Sequence, residues 1–180
     1  MSNPSQNLWA PWRMEYIDRL GDRNRPDGCF LCDYWADPAA DARNLVLWRT
    51  AECMVLLNRF PYSNGHLLIA PAVHVASLEQ LESSQMAEMM ALARDAQTLL
   101  SRTVGAEGFN LGANFGRCAG AGLPDHLHLH LVPRWSGDTN YMAVVGDVRV
   151  IPQALDASYA QLRAAAEQMS LPREAGRPHG

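Results

Sequence analysis

The stretch Asp125-His126-Leu127-His128-Leu129-His130-Leu131-Val132-Pro133-Arg134-Trp135 alternates imidazole with leucine and holds three of the chain's six histidines within five residues. Alternation of period two marks a β-strand, in which successive side chains point to opposite faces. Leu127, Leu129 and Leu131 therefore line one face that can be buried. His126, His128 and His130 share the other, about 7 Å apart at roughly 3.3 Å rise per residue. Such a strand belongs in a sheet with one face against a core and the other where imidazole is useful. Near pH 7 neutral imidazole serves as nucleophile, proton donor or metal ligand.

Composition narrows the setting. A chain of 180 residues is long enough for one well-buried domain and short for two. With 48% hydrophobic residues it reads as an ordinary globule rather than a disordered or membrane protein. A net charge of −4 supplies no global field for nucleic acid or anionic lipid, so neither is expected as a partner. Local cations and backbone N–H groups can still hold an anionic ligand. No window offers the roughly 20 apolar residues of a spanning helix. Met1-Ser2-Asn3-Pro4 lacks the basic start and apolar run of a signal peptide, so the cytoplasm is the expected location. Cys29, Cys32, Cys53 and Cys118 do not form a disulfide framework in a chain this size. Cys53 lies in an apolar run and reads as a small buried hydrophobe. Cys29-Phe30-Leu31-Cys32 has a spacing at which two thiolates can bite one ion.

The chain divides into three parts. Residues 1–28 form an arm rich in aromatics and proline, including Leu8, Trp9, Pro11, Trp12, Tyr16 and Ile17. That much apolar surface is expected to pack on the domain or on a second subunit. Residues 29–145 form the main domain, and residues 146–180 a C-terminal helix and tail. From Cys29 to about Arg49 the pattern suggests a turn and a short irregular or helical stretch. Glu52 to Asn58 reads as a strand, residues 59–65 as a turn, and His66 to Ala70 as the returning strand. Ser77 is a candidate N-cap for one long helix ending at Gly105. Leu81, Met86, Met89, Met90, Ala93, Ala96, Leu100 and Val104 recur there at helical spacing, and the methionines read as core filling. Phe109 to Phe115 is a further strand, followed by a Gly/Ala-rich loop from Gly116 to Leu123 and the histidine strand. A last helix spans about Pro152 to Met169. This order predicts an α+β fold: an antiparallel β-sheet with a long helix and a C-terminal helix.

Several of these stretches together resemble one family. His126-Leu127-His128-Leu129-His130-Leu131-Val132 has the His-φ-His-φ-His-φ-φ form, φ being apolar, of the histidine triad (HIT) family. Asn58-Arg59-Phe60-Pro61 leading into Gly65-His66-Leu67-Leu68-Ile69 resembles its nucleoside-binding hairpin. Gly108-Phe109-Asn110 through Asn114-Phe115-Gly116 resembles its strand before the triad. Leu8-Trp9-Ala10-Pro11-Trp12-Arg13 and residues 133–140 look like a bacterial branch associated with diadenosine tetraphosphate phosphorylases and hydrolases. The resemblance covers roughly Cys29 to Trp135 and makes residues 29–145 a HIT catalytic domain with a HIT-like fold.

The resemblance implies nucleotidyl transfer or hydrolysis at the α-phosphate of a dinucleoside polyphosphate. His128 would attack phosphorus and form a nucleotidyl-imidazole, which water or phosphate resolves. His130 would assist the leaving phosphate, with His126 completing the triad. Asn58 matches a ribose-binding position, Asn114 a contact on the phosphate side, and His66 a supporting position beside the triad. Backbone N–H groups of the loop, including Gly120 and Gly122, would cradle phosphoryl oxygens. Trp135 would stack on a base or serve a dimer contact, while Arg134, closing the strand, reads as a solvated surface charge. Many family members carry a polar pair such as Gln-Ser before the first histidine. Here Gly122-Leu123-Pro124-Asp125 offers no hydroxyl, so phosphate contacts must come from backbone or elsewhere.

Related HIT proteins complete a Cys-x-x-Cys half-site with two histidines, which here implies structural zinc on Cys29, Cys32, His74 and His126. No organic cofactor is implied. An adenine nucleotide is the implied ligand and a homodimer the implied assembly. Three rivals stand beside this reading: hydrolysis of nucleoside phosphoramidates, nucleotide binding without turnover, and a catalytic metal on the three histidines. The last is disfavoured because metallo-β-lactamase-like hydrolases use His-x-His-x-Asp-His, with an aspartate in the site, whereas here Leu129 occupies the gap and the third histidine returns at period two.

Overall fold

Strands with no polar face are stable only where both faces are covered. In the computed structural model, which describes residues 28–138 and 153–172, three such strands lie side by side. β1 (Val46–Arg49), β2 (Cys53–Leu57) and β3 (Leu67–Pro71) are buried almost throughout. β4 (Gly108–Gly112) and β5 (Leu129–Arg134) complete a five-stranded sheet of order β1-β2-β3-β5-β4, antiparallel at every pairing. β1 falls inside the region whose pattern suggested a turn and irregular chain. Buried on both faces, residues 45–48 show no alternation that would mark them as a strand.

Two apolar layers cover the sheet. On one face Leu47, Val55, Leu57, Leu67, Ile69 and Leu131 pack beneath α3 (Ser83–Val104) and α4 (Leu155–Gln168). On the other, Val46, Met54, Leu56, Leu68 and Ala70 pack against Leu31, Phe30 and Tyr34 of α1 (Phe30–Ala36). A short helix, α2 (Asp41–Asn44), links α1 to β1. Arg49 pins this corner: its guanidinium donates to the carbonyls of Tyr34 (2.6 Å) and Trp35 (3.2 Å) and pairs with Asp41. The strap fixes the helix at whose start Cys29 and Cys32 stand.

The long helix begins later than its sequence suggests. Ser77 caps only a single 3-10 turn, Leu78–Gln80; Leu81 is extended, and Glu82 with Gln85 forms a second capping box that starts α3. Gly105, at φ +64°, ends it in the left-handed conformation that glycine adopts without a Cβ penalty. Met89, Leu92, Ala93, Ala96, Leu99 and Leu100 face the core, whereas Met90 is 54% exposed and lies outside the stripe. α4 matches the expected last helix within a few residues. It ties down β1 and the β2–β3 turn: Tyr159 Oη donates to the Val46 carbonyl and Ser158 Oγ to Asn64 Oδ1.

The histidine strand is shorter than its alternation implies. Leu67↔Leu131, Leu68↔His130 and Ile69↔Leu129 pair, and the ladder then stops. Pro71 at the end of β3 has no N–H to offer. Leu127 N–H turns instead to the Val75 carbonyl at 2.6 Å. The alternation of faces survives: Leu127 and Leu131 are buried in the large core with Leu129 packed on it, and His130 shares the face of Leu68. β4 likewise ends at Gly112, before the expected Phe115. Residues 1–27, 139–152 and 173–180 lie outside the described residues. So do most of the aromatic arm, residues 139–145 of the main domain, the expected start of the last helix at Pro152, and the tail.

Leu131 is fully buried between the histidine face and α3. Leu131→Ala is expected to cost roughly 2–5 kcal/mol, the range for truncating a buried leucine. A urea titration showing a lowered midpoint with an unchanged slope checks this; a loss below about 1 kcal/mol would contradict the core position.

Candidate active site

Four histidines from two β-segments are wired by hydrogen bonds whose partners fix every tautomer. His128 Nδ1 lies 2.8 Å from the His126 carbonyl, and an oxygen of that kind only accepts. Nδ1 therefore carries the proton and Nε2 presents a bare lone pair. In the hairpin turn between β2 and β3, His66 Nδ1 accepts from the Tyr62 backbone N–H at 3.1 Å and from Asn58 Nδ2 at 3.2 Å. Its proton is thereby left on Nε2, which donates to His130 Nδ1 at 3.1 Å. His130 in turn keeps its proton on Nε2. The result is a nucleophile-type nitrogen and a donor-type N–H on adjacent rings, whose centroids lie 4.9 Å apart.

Burial decides the charge of these rings. His66 is fully enclosed and His128 is 9% exposed. Desolvation holds His128 below the ordinary imidazole value, partly opposed by its hydrogen bond to the His126 carbonyl. His130 is pushed down to about 4 by burial and by its neighbour His128. Both are neutral at pH 7, so His128 keeps its lone pair and His130 acts as a neutral donor. Tyr62, which the sequence reading did not single out, stacks over His130 with centroids 6.0 Å apart and over His66 at 4.7 Å. Its only sequence signal is its place in the turn that delivers His66.

His126 looks the other way. Its Nε2 donates to the Pro71 carbonyl at 2.9 Å, leaving Nδ1 unprotonated and directed at two sulfurs. Cys29 Sγ is 3.1 Å from that nitrogen and Cys32 Sγ 3.5 Å; Cys32 Sγ is also 3.2 Å from His74 Nδ1. All four donor atoms lie within 4.8 Å of one another. A tetrahedral zinc with Zn–S near 2.3 Å and Zn–N near 2.0–2.1 Å has donor–donor edges of about 3.3–3.8 Å, so the set fits with small adjustments. The carbonyl on the far side of His126 is the outer-sphere partner that metal-bound imidazoles use. Burial, with a smaller contribution from the adjacent Cys29, pushes the Cys32 thiol up to about 11. The four residues expected to hold zinc are thus brought together.

The remaining expected site residues divide. Asn58 Oδ1 accepts from the Phe60 N–H at 3.0 Å, so this side chain shapes the turn as well as touching His66. Asn114 is half-buried just beyond β4. Gly112 pairs with His130, and continuing that antiparallel register sets Asn114 level with His128. Gly122 is half-buried in the following loop. The Gly120 N–H bonds the Arg117 carbonyl at 3.0 Å, and those of Ala119 and Ala121 bond the Gly116 carbonyl, closing the loop's own turns. The Trp135 indole donates to the Val104 carbonyl at the end of α3 and packs on the core, leaving the ring partly exposed. Arg134 is a surface charge, paired with Asp138 at 2.5 Å and bonded to Asn110.

Comparison with known proteins agrees with this layout. The HIT domain family matches residues 40–137. A Mycobacterium tuberculosis (strain H37Rv) protein named AP-4-A phosphorylase is 36% identical over 159 residues, covering 83% of this chain and 78% of that protein. The crystal structure of a Zn-bound histidine triad family protein from Mycobacterium smegmatis superposes with a TM-score of 0.65 at 26% identity, covering 79% of this chain and 96% of that one. A histidine triad nucleotide-binding protein from Sulfolobus tokodaii shares the fold at a TM-score of 0.64 and 21% identity, over 84% of this chain and all of that one. Fold, histidine pattern and relatives converge: this chain belongs to the histidine triad (HIT) family.

Proposed function

We propose that the protein is a nucleotidyl-transferring enzyme that splits a dinucleoside polyphosphate such as diadenosine tetraphosphate at the α-phosphate, with inorganic phosphate as acceptor. The single observation that carries this reading is the pairing of a bare His128 Nε2 with a neutral, proton-bearing His130 Nε2 one ring away. The similarity to a protein named AP-4-A phosphorylase supports phosphate, rather than water, as the second nucleophile.

His128 Nε2 attacks the α-phosphorus and the bond to the bridging oxygen breaks, releasing ATP. The ring gains positive character, which the His126 carbonyl stabilises through Nδ1–H. A neutral imidazole is a poor acid, so His130 contributes a hydrogen bond to the bridging oxygen rather than a whole proton. That suffices, since a departing polyphosphate is stable as an anion near pH 7. A phosphate oxygen then attacks the same phosphorus from the face vacated by ATP, expelling His128 and forming ADP. Asn58, with an N–H and a lone pair to spare, would receive ribose hydroxyls; Asn114 and the Gly122 backbone would meet the phosphates.

The Cys29, Cys32, His74 and His126 set would hold zinc in a closed structural role, leaving the chemistry to His128 and His130. A homodimer through the β4 edge is part of the proposal. The β1 edge is capped by α4, whereas β4 lies at the other edge with Leu111 37% exposed. Among the described residues no helix is long and apolar enough to cross a membrane, and we place the protein in the cytoplasm.

Three measurements test the proposal. Diadenosine tetraphosphate incubated with phosphate is expected to yield ADP and ATP, and neither without it; AMP and ATP in phosphate-free buffer would make the enzyme a hydrolase. His128→Ala should abolish the denaturation-resistant adenylyl-protein and lower kcat by about 10³-fold or more, while activity near that of the parent would end the proposal. Protonating His128 removes its lone pair, and burial moves that event below the ordinary 6.5. kcat/KM is accordingly expected to stay level as pH falls from 7.5 and to drop only beneath 6.5. An acid limb centred above 6.5 would contradict the buried, neutral ring.

A further inference from the structure

Cys29 and Cys32 occupy the N-cap and third position of α1, both half-buried, with their sulfurs in hydrogen-bond contact. Sulfurs one helical turn apart close to the ~2.05 Å of a disulfide by side-chain rotation, with little backbone movement. The cluster is open on one side, where His74 is exposed next to Cys32. The other cysteines are unsuited to the same reaction: Cys53 is fully buried in β2, and Cys118 is exposed but pairs with no second thiol among the described residues. One fully buried residue joins the thiols to the catalytic face. His126 meets Cys29 through its ring at 3.1 Å and His128 through its main-chain carbonyl at 2.8 Å.

We propose that Cys29 and Cys32 form an oxidative modification site: a hydroperoxide converts the pair to an intramolecular disulfide, and the loss of both thiolate donors reversibly slows His128 by loosening His126. The inference rests on the reading of His128 as nucleophile and of the cluster as a zinc-holding set. One thiolate attacks the outer peroxide oxygen; the O–O bond breaks, the alcohol or water departs with a proton, and a sulfenic acid remains. The second sulfur attacks the sulfenic sulfur, the S–O bond breaks, and water leaves. Two thiols have then given up two electrons and two protons, and one hydroperoxide has become one alcohol and one water. A disulfide sulfur is no longer a thiolate ligand, so the divalent ion is released. His126 then keeps the Pro71 hydrogen bond and the edge contact with His74 on its ring, and the carbonyl that orients His128 loses the sulfur-side clamp on its own side chain.

The test uses zinc-loaded, full-length Cys118→Ser protein titrated with hydrogen peroxide. Free thiols, intact mass, zinc released to a chromogenic chelator, and the rate of adenylylation of His128 from diadenosine tetraphosphate are followed together. Expected are loss of the Cys29 and Cys32 thiols with a mass decrease of two hydrogens, release of one zinc per chain, and an adenylylation rate lower by about tenfold. Dithiothreitol with zinc should restore all four, which separates the switch from unfolding. A disulfide that leaves the rate unchanged would overturn the proposal, as would a rate loss with both thiols intact or one that reduction and zinc fail to reverse. Should the reduced, zinc-loaded protein form no adenylyl-His128, the functional reading falls, and the thiol and zinc readouts still decide the disulfide separately.

Discussion

The hydrogen bond from His128 Nδ1 to the carbonyl of His126 is the contact on which the rest of the site depends. It spans only two residues, yet it sets three properties at once. It places the proton on Nδ1, bares Nε2, and offers a dipole to any positive charge that develops on the ring. A strand that continued in regular pairing through this segment would leave that carbonyl to a neighbouring backbone N–H. The β3–β5 ladder ends at Leu129, so the His126 carbonyl is left to the His128 ring, while the Pro71 carbonyl accepts from the His126 ring.

The sheet supplies the rigidity such a contact requires. β2 and β3 are buried on both faces, and β5 is clamped between β3 and β4. Neutral rings are the electrostatic consequence of this enclosure. An imidazolium at His128 or His130 would be poorly solvated, so both bases stay unprotonated through the physiological range. The hairpin turn is held from outside by Ser63 Oγ on the Pro133 carbonyl and by Ser158 on Asn64, which fixes the approach of His66 to His130. Gly65 is required there: at φ +76°, a Cβ would meet Leu100 at 3.0 Å.

Much of this was legible in the chain because periodicity is local. The alternation of residues 126–131, the amphipathic run ending at Gly105 and the hairpin before His66 are each written within one element. β1 was not legible, since a strand buried on both faces carries no alternation. The split start of the long helix escaped for a related reason: Ser77 and Glu82 both begin capping boxes, and only the extended Leu81 between them separates the two. Trp135 shows what folding adds: an aromatic beside a reactive strand suits base stacking by type, and in the folded chain its indole N–H is bonded to the Val104 carbonyl.

By itself the sequence determined which residue types share a face and which are available: three imidazoles opposite three leucines, and two thiols spaced to bite one ion. Only the tertiary structure decided what each imidazole does. A ring's proton goes where an acceptor is, and for His126 and His130 those partners come from far along the chain. The Pro71 carbonyl lies 55 positions from His126, Cys29 lies 97 from it, and His66 lies 64 from His130. The three histidines of the alternating run are chemically equivalent in the sequence. Folding points one at two thiols, bares Nε2 on the second and leaves the proton on Nε2 of the third, because each meets a different neighbour.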